Sequence, residues 1–328
     1  MRRRPYATPA IPEPMRRADL LRRRVEDIEL RPHVSVDSLL AAFDRAGGFT
    51  AKKVAMGAQI VRDMVRDRAC TVFLSFPAAL VATGVRGVLR TLVERKWVGA
   101  IVTTCGTVDH DLARAWGAYY HGAFEMDDAA LRKLGVHRLG NVLVPKESYG
   151  PLLEQRVQPV LRELWDGGVR AISTRDLVWE FGERMKDRKS ILYWAARNRI
   201  PVFVPAIMDG AFGSQLWSFW QDHREFRVDE MADEQALADL VFTAKRTGAL
   251  VIGGGVSKHH TIWWNQFRDG LDYAVYVTTA PEWDGSLSGA RVREAVSWNK
   301  VREEAEQVTI EGDASVILPL LVAPLFRK

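Results

Sequence analysis

The sequence predicts an α/β protein: a doubly wound, mostly parallel sheet with helices on both faces, in one large domain preceded by a short helical extension. Three observations lead to this prediction. Apolar runs of the kind that form buried strands alternate with helical patterns along most of the 328 residues. No linker interrupts the alternation. The composition, 47% hydrophobic and 27% charged, is that of an ordinary globular protein.

The helical extension comes first, and the alternation follows it. Residues 36–45 and 51–67 have helical spacing, and Thr50 is expected to cap the second helix. Strands are predicted at residues 71–76, 98–104, 201–205, 250–252 and 273–278. Further helices are predicted at residues 80–94, 111–116, 149–164, 233–245, 260–267 and 292–298. Parallel strands joined by crossover helices make the predicted sheet Rossmann-like.

The positive charge is concentrated at the amino terminus. Residues 1–24 hold eight arginines against Glu13 and Asp19, which gives this segment a net charge of +6. The whole chain has a net charge of +5, so the remaining residues carry about −1. We therefore expect a basic, flexible tail (1–24) and a near-neutral domain (25–328), and no nucleic-acid groove. An alternative is that the tail folds over a neighbouring subunit or meets an acidic partner.

Several classes of protein are excluded by composition. Two cysteines cannot form a disulfide framework, which indicates a reducing compartment. No signal segment opens the chain, and prolines interrupt the longest apolar run, residues 314–326, so we expect a cytoplasmic protein without membrane contact. The adjacent His259 and His260 lack a third ligand at suitable spacing, so no metal is expected.

Small residues follow three of the predicted strands. They are Cys105-Gly106-Thr107, Gly253-Gly254-Gly255, and Thr279-Ala280 with the nearby loop 284–290. Ligands of such sheets bind at the carboxyl ends of strands, where small residues let a phosphate approach the backbone. A G-x-G-x-x-G fingerprint is absent from the start of the chain. Each turn alone is more often only a tight turn, but three in one sheet favour a cofactor site.

Two long segments resemble a known family. They are GGGVSKHH at 253–260 and LDYAVYVTTAPEWDGSLSGARVREAVSWNK at 271–300. Both resemble the C-terminal half of deoxyhypusine synthases, whose hallmarks are GGG-x-x-KHH, DYAVY-x-TTA, DGS-x-SGA and EA-x-SW-x-K. The strings TTCGTVDHDLAR at 103–114 and PAIMDGAFG at 205–213 are similar to the archaeal branch. The resemblance covers roughly residues 50–323.

The resemblance implies an enzyme with NAD as its cofactor. The family oxidises spermidine beside its secondary amine, transfers the 4-aminobutyl group to an enzyme lysine as an imine with release of 1,3-diaminopropane, and passes it to a lysine of translation initiation factor 5A. The bound NADH finally returns the hydride. Family members are homotetramers with active sites between subunits, so the resemblance implies the same here.

Two residues match the family's catalytic positions. The nucleophilic lysine corresponds to Lys300, and burial beside Trp298 is expected to keep its amine uncharged. The resemblance implies that the proton-transferring histidine corresponds to His259, and imidazole titrates in the range that this role requires. Without the resemblance, Lys300 would be interpreted as a surface residue and His259 as a cap. His260 is interpreted as structural.

The remaining site residues also follow from matched positions. The polyamine needs carboxylates and an aromatic face. The substrate-binding candidates are Asp109, His110, Ser214, Gly285, Ser286, Leu287, Glu294 and Trp298. The NAD-binding candidates are Thr104, Cys105, Gly106, Asp209, Gly254, Thr279, Ala280, Asp284, Asp313 and Ala314.

The sequence departs from the eukaryotic pattern at several of these positions. Leu287 and Ser214 replace carboxylates, His110 replaces a glutamate, and Ala78-Ala79 replaces a Ser-Asn pair. Fewer carboxylates leave room for another amine, such as homospermidine or agmatine. One alternative is therefore a small-molecule polyamine synthase that uses the same imine. Another is a non-catalytic NAD-binding regulator, or a nucleic-acid binder that uses the arginine-rich tail.

Overall fold

The computed structural model describes residues 21–326. The predicted basic tail therefore lies outside the described residues except for residues 21–24, which are exposed. Residues 24–30 run without regular secondary structure, and the amide of Glu26 donates to the carbonyl of Arg45 at 3.2 Å. No helix in this part of the chain is long and apolar enough to cross a bilayer.

The described residues form eleven strands and thirteen α-helices. The strands are β1 Cys70–Phe76, β2 Ala100–Thr103, β3 Tyr120–His121, β4 Val136–Leu139, β5 Val142–Pro145, β6 Ala171–Ile172, β7 Val202–Phe203, β8 Arg227–Val228, β9 Arg246–Ile252, β10 Leu271–Thr278 and β11 Val301–Glu311. The helices are α1 Val36–Ala46, α2 Phe49–Arg66, α3 Arg86–Glu94, α4 Cys105–Trp116, α5 Asp128–Lys133, α6 Gly150–Asp166, α7 Thr174–Arg184, α8 Ile191–Asn198, α9 Ala211–Asp222, α10 Glu230–Thr243, α11 Gly255–Asn265, α12 Val292–Val296 and α13 Ala314–Val322.

Six strands make the central sheet, in the order β11-β10-β9-β1-β2-β7, and every pair in it is parallel. From β1 the chain adds β2 and then β7 on one side of the sheet. It then crosses back to place β9 on the other side of β1, and adds β10 and β11 beyond it. This is the 3-2-1-4-5-6 strand order of dinucleotide-binding folds, and its switch point lies between β1 and β9. The predicted fold class, an α/β doubly wound, Rossmann-like sheet, is confirmed.

The sheet is buried on both faces, as alternation along its strands shows. In β1, Leu74 belongs to one apolar cluster and Phe73 to the other, and in β10 Val275 and Tyr276 divide in the same way. Helices α2, α3 and α13 cover the first face, and α10, α11 and α12 cover the second. Each large apolar side chain buried in this way contributes about 1.5–3 kcal/mol. The second face carries α11, which holds the candidate His259, and α12, which ends shortly before the candidate Lys300.

Several predicted boundaries are wrong for local reasons. The helix predicted over 80–94 is a 3-10 turn, Ala78–Ala82, followed by α3, because the Thr83 hydroxyl donates to Leu80 and accepts from the Val85 amide. Gly48 rather than Thr50 precedes α2, without a side-chain cap. Helix α11 begins five residues before the predicted start, at Gly255, and α12 ends at Val296, so Lys300 lies beyond it.

Other elements were not predicted at all. They include the antiparallel sheet β3-β5-β4, the helices α5, α7, α8, α9 and α13, and the edge strand β11. Two of them matter for the site. Helix α9 begins directly after Asp209-Gly210, and α13 begins after Asp313, whose carboxylate accepts from the Ser315 amide at 2.6 Å.

Candidate active site

The candidate cofactor residues meet at the carboxyl edge of the sheet. Thr104 follows β2, Gly254 follows β9, Thr279 follows β10 and Asp313 follows β11. Because all these strands are parallel, their carboxyl ends lie along one edge. Thr279 and Asp313 are exposed there. The structure thus brings together the strand-end residues that the sequence analysis singled out.

Close packing explains two of the small residues at this edge. A Cβ on Gly106 would lie 2.8 Å from the Cβ of Ala78, and one on Gly254 would lie 2.4 Å from the Cα of Ser288. Gly254 therefore allows the loop 284–290 to fold over the end of β9. Gly255 has a φ of +72° and open space where a Cβ would stand. Of these glycines, Gly255 leaves the backbone accessible.

The loop 284–290 is held by short-range hydrogen bonds. The Asp284 carboxylate accepts from the Ser286 amide at 2.7 Å, and the Ser286 hydroxyl accepts from the Gly289 amide at 3.2 Å. Gly285 has a φ of +70°, a conformation that favours glycine. Asp284 to Ser286 are exposed, while Leu287 turns inward against the cluster on the second face of the sheet. The loop therefore presents its polar side outward and closes a cavity with its apolar side.

Lys300 lies in that cavity, which has a volume of about 150 Å³. Its lining includes Lys258, Tyr276, Leu287, Glu294, Trp298 and Lys300. Only 8% of Lys300 is exposed, and its Nζ lies 5.1 Å from the ring centre of Trp298 and 5.7 Å from that of Trp263. Its backbone amide donates to the carbonyl of Ala295 at 3.0 Å. The lysine is thus fixed between α12 and β11, facing two indoles.

His259 lies on α11 beside this cavity. Its exposed ring stacks on Trp263, with centres 5.5 Å apart and planes inclined by 24°. Partial loss of hydration, and then the positive charge of Lys300, lower the pKa of His259. The side chain of His260 instead points away from the cavity of Lys300, and its Nε2 lies 3.0 Å from a carboxylate oxygen of Glu234. The interpretation of His260 as structural agrees with this contact.

Glu294 and Trp298 form the outer side of the cavity. Both are exposed, Trp298 by 61%, and both also line the space around Lys300. Burial lowers the pKa of Lys258, and the nearby carboxylate of Glu294 opposes this shift. A carboxylate and an indole at the mouth of a cavity are the groups that an alkylammonium needs when it leaves water.

Asp109 and His110 lie elsewhere in the chain. Both are on α4, after β2, and neither lines the cavity around Lys300. Strands β2 and β10 are separated by β1 and β9, so their ends lie about 14 Å apart at the usual strand spacing. Ser214 is exposed in the first turn of α9, where its hydroxyl donates to the carbonyl of Gly210. Within one chain the substrate-binding candidates therefore form two groups.

The Asp109 carboxylate is fully buried, and both of its oxygens accept hydrogen bonds from the chain. It accepts hydrogen bonds from the Tyr149 hydroxyl at 2.9 Å, the Ala211 amide at 2.9 Å and the Phe212 amide at 2.7 Å. The thiol of Cys105 donates at 3.7 Å. Burial raises the pKa of Asp109, although these donors oppose it. This carboxylate anchors the start of α9, which follows the candidate Asp209.

The neighbouring His110 and Cys105 are also enclosed. His110 Nδ1 lies 2.8 Å from the Tyr119 hydroxyl, and burial lowers the pKa of His110 to about 4. Cys105 is fully buried, and burial raises the pKa of its thiol. A neutral imidazole and a protonated thiol carry no negative charge to form an ion pair with an ammonium group. Whether Asp109, His110, Cys105 and Ser214 contact a ligand stays a prediction.

Sequence reasoning missed Lys258 and Tyr276, although both lie inside quoted motifs. Lys258 is 1% exposed, and its Nζ donates to the carbonyls of Leu287 and Ala290, each at 2.7 Å. Its Nζ lies 4.4 Å from the ring centre of Tyr276. Burial lowers the pKa of Lys258 to about 8. The buried hydroxyl of Tyr276 has no hydrogen-bond partner among the described residues. We call the two hydrogen bonds from Lys258 to these carbonyls the lysine clamp, and the lysine of the KHH motif is the sequence signal that could have indicated it.

Replacing Lys258 with methionine, which has similar length, is expected to destabilise the protein by about 2 kcal/mol or more, because two enclosed carbonyls lose their donor. Urea unfolding of both proteins measures the difference. Lys245→Met is the matched control, since Lys245 is exposed at the end of α10. Equal unfolding midpoints for Lys258→Met and the control would show that the clamp contributes nothing.

No group of three His, Cys, Asp or Glu side chains among residues 21–326 is arranged to hold a metal ion. The site consists of a buried lysine, two indoles, a carboxylate and an imidazole on the second face of a dinucleotide-type sheet. Such a set can hold an alkylamine, remove a proton from it and attack an electrophilic carbon.

Comparisons with known proteins agree with this chemistry. The family model of deoxyhypusine synthase matches residues 38–325. A protein of Picrophilus torridus named "Probable deoxyhypusine synthase" is 54% identical over 313 residues, which cover 95% of this chain and 100% of that relative. A protein of the same name from Sulfolobus acidocaldarius is 48% identical over 315 residues, again 95% of this chain and 100% of the relative.

A solved structure shows the same fold. It is that of an Entamoeba histolytica protein assigned as a deoxyhypusine synthase, with a TM-score of 0.66 and 22% identity, covering 91% of this chain and 96% of that one. At this identity the likeness concerns the fold alone. The family match and the two archaeal relatives extend over nearly the whole chain, and together they show that this chain belongs to the deoxyhypusine synthase family.

Proposed function

We propose that this chain is a deoxyhypusine synthase, an aminobutyl transferase that moves the 4-aminobutyl group of spermidine through Lys300 to a lysine of translation initiation factor 5A. The observation that carries the proposal is the position of Lys300, which is only 8% exposed and lines one cavity with Glu294 and Trp298 at its mouth. The relatives' names favour this function over a small-molecule polyamine synthase and over a non-catalytic regulator.

NAD fits the carboxyl edge of the sheet. The strand order is that of dinucleotide-binding folds, and exposed Asp209 and Asp313 offer carboxylates to ribose hydroxyls. Thr104, Thr279 and Ala280 lie at strand ends between them, and Gly255 leaves its backbone open. When bound, NAD would accept a hydride from the carbon beside the secondary amine of spermidine and later return it. These chain residues would bind and orient it.

The chain's own residues would perform the proton transfer and the covalent step. His259 takes the proton of the secondary amine, and its lowered pKa keeps the ring neutral and able to accept near pH 7. The amine of Lys300 adds to the oxidised carbon, and the carbon–nitrogen bond to 1,3-diaminopropane breaks. Glu294 pairs with the free ammonium of the aminobutyl chain, and Trp298 covers its methylenes. The acceptor lysine then displaces Lys300.

A second copy of the chain is proposed to complete the site. Exposed rings recur at four-residue spacing: His259 and Trp263 on α11, and Phe267 in the 3-10 turn Gln266–Arg268 that follows it. Trp298 is exposed as well. Exposed aromatic groups of this kind mark interfaces. The group around Asp109 and the group around Lys300 are separate within one chain, and a partner subunit that packs against the exposed aromatic groups could bring its own group around Asp109 to the cavity of Lys300. We propose a homotetramer with active sites between subunits.

Two further features belong to this proposal. Residues 25–328 are proposed to form the catalytic domain and residues 1–24 a basic tail, since the described core extends from Leu40 to Val322. The reaction is placed in the cytoplasm, because its acceptor is a translation factor.

Incubation with NAD, labelled spermidine and factor 5A from the same source tests the function. The expected result is label on one lysine of the factor and release of 1,3-diaminopropane. Label only on putrescine added as a competing acceptor would defeat the protein-modifying assignment. Parallel reactions with homospermidine and agmatine identify the donor, because Leu287 leaves the cavity one carboxylate poorer than the eukaryotic pattern.

A further inference from the structure

Trp263 touches both groups to which the reaction is assigned. It lies one helical turn beyond His259 on α11, and the two rings stack with centres 5.5 Å apart. Its ring centre is also 5.7 Å from the Nζ of Lys300. On its other side the indole meets the edge of Phe267 at 6.1 Å and 90°. The side chain is 42% exposed, so the indole lies at the surface beside Lys300 and His259 rather than in the core.

We propose that Trp263 is a positioning residue of the reaction, which fixes the ring of His259 and gives the cation on Lys300 a second aromatic face. The inference rests on the proposed function. Trp263 lies between the two motifs that carry the family resemblance, so neither motif assigns it a role.

Charge makes a second aromatic face beside Lys300 useful to the reaction. Once Lys300 has formed its imine, the protonated nitrogen is a cation in a largely enclosed place. Lys300 forms no ion pair within residues 21–326, and its Nζ instead faces the rings of Trp298 at 5.1 Å and Trp263 at 5.7 Å. An indole face attracts a cation, and the attraction grows as water is removed. The two indoles therefore replace a carboxylate as partners of this nitrogen.

Trp263 affects both the orientation and the hydration of the His259 ring. A nearly parallel indole limits rotation of the imidazole and keeps water from one face of it. The titratable groups beside His259 are Lys300, from the junction of α12 and β11, and its neighbour His260, whose Nε2 faces Glu234. Partial burial and then the positive charge of Lys300 lower the pKa of His259. Removal of the indole restores water to the ring, so the pKa of His259 is expected to rise towards the ordinary value of about 6.5.

Three substitutions separate these effects. Trp263→Ala removes both the ring stacked on His259 and the aromatic face towards Lys300. Trp263→Leu keeps an apolar side chain beside these groups but no aromatic ring, and Trp263→Phe keeps a smaller aromatic ring. Trp264→Phe is the control. It lies on the same helix but is half-buried and donates its indole N–H to Glu234 at 2.6 Å, away from Lys300. Urea unfolding of each variant verifies that it folds.

Two measurements decide the matter. Nuclear magnetic resonance titration of the His259 ring in the free enzyme is expected to show a higher pKa in Trp263→Ala and an unchanged one in Trp264→Phe. Borohydride trapping with NAD and spermidine is expected to show adduct formation about tenfold slower in Trp263→Ala and Trp263→Leu, with most of the rate restored in Trp263→Phe. In Trp263→Ala the acidic limb of the pH–rate profile moves to higher pH.

The outcomes remain distinguishable. A wild-type histidine titration in Trp263→Ala, together with a trapping rate within twofold of wild type, overturns the inference and leaves the proposed function intact. A wild-type enzyme that forms no adduct with spermidine defeats the proposed function, and the inference falls with it. Equal losses in Trp263→Phe and Trp263→Ala, without a change in titration, show that Trp263 only fills space.

Discussion

Replacing Lys300 with alanine is expected to abolish the covalent adduct and to lower transfer to the acceptor by at least on the order of a thousandfold. The aminobutyl group has to be held by an amine between donor and acceptor. Lys258 is the other lysine that lines the cavity, and its Nζ is held by the carbonyls of Leu287 and Ala290. It cannot take over without releasing the loop 284–290. Loss of the Lys300 amine therefore removes the covalent route.

Mass spectrometry after borohydride reduction measures this outcome. In the wild type the added mass identifies the donor fragment, and the modified peptide identifies the lysine. Lys300→Arg keeps a positive charge between the indoles of Trp263 and Trp298 but offers no nucleophile, so it should fold and form no adduct. Lys245→Ala, at an exposed lysine, is the control that should react normally. An adduct on any other lysine of the wild type would contradict the assignment.

The elements that could be predicted are those whose burial requires a recognisable pattern of apolar residues in the sequence. Strands β1, β2, β9 and β10 lie inside the sheet and read as continuous apolar runs because both of their faces are covered. Strand β11 is an edge strand, and its first half, which contains Glu303, Glu304 and Glu306, faces solvent. A strand of this composition has no apolar run to reveal it. Helix α13 was hidden by Pro319 inside an apolar stretch.

The site was predictable where motif and chemistry coincide. Lys300 and His259 were assigned from matched strings, and the structure encloses the first and stacks the second on Trp263. What the sequence could not reveal is which atoms meet. The Lys258 ammonium reaches two carbonyls 29 and 32 residues away, and the Asp109 carboxylate reaches amides 102 and 103 residues away. Such contacts depend on the order of strands, which no local pattern encodes.

Asp109→Asn is expected to lower the free energy of unfolding by about 3 kcal/mol or more. The carboxylate of Asp109 is fully buried and accepts from Tyr149, Ala211 and Phe212, with the Cys105 thiol as a fourth donor. An asparagine offers one acceptor oxygen and turns an NH₂ group towards donors. At least one buried donor at the start of α9 is then left unpaired, and each such group costs about 1–3 kcal/mol. Repulsion between facing donors adds to this loss.

Urea unfolding measures the loss, and Asp209→Asn is its matched control. Asp209 lies two residues before α9 and is exposed, so its substitution should leave stability nearly unchanged while weakening NAD binding. The pair separates two interpretations of Asp109. If its carboxylate held the polyamine, Asp109→Asn would raise the KM for spermidine at near-normal stability. Since four donors of the chain already bond to this carboxylate, we expect the opposite: a destabilised protein whose surviving folded fraction binds spermidine with nearly the wild-type KM. The family position then anchors α9, and with it Asp209, rather than the amine.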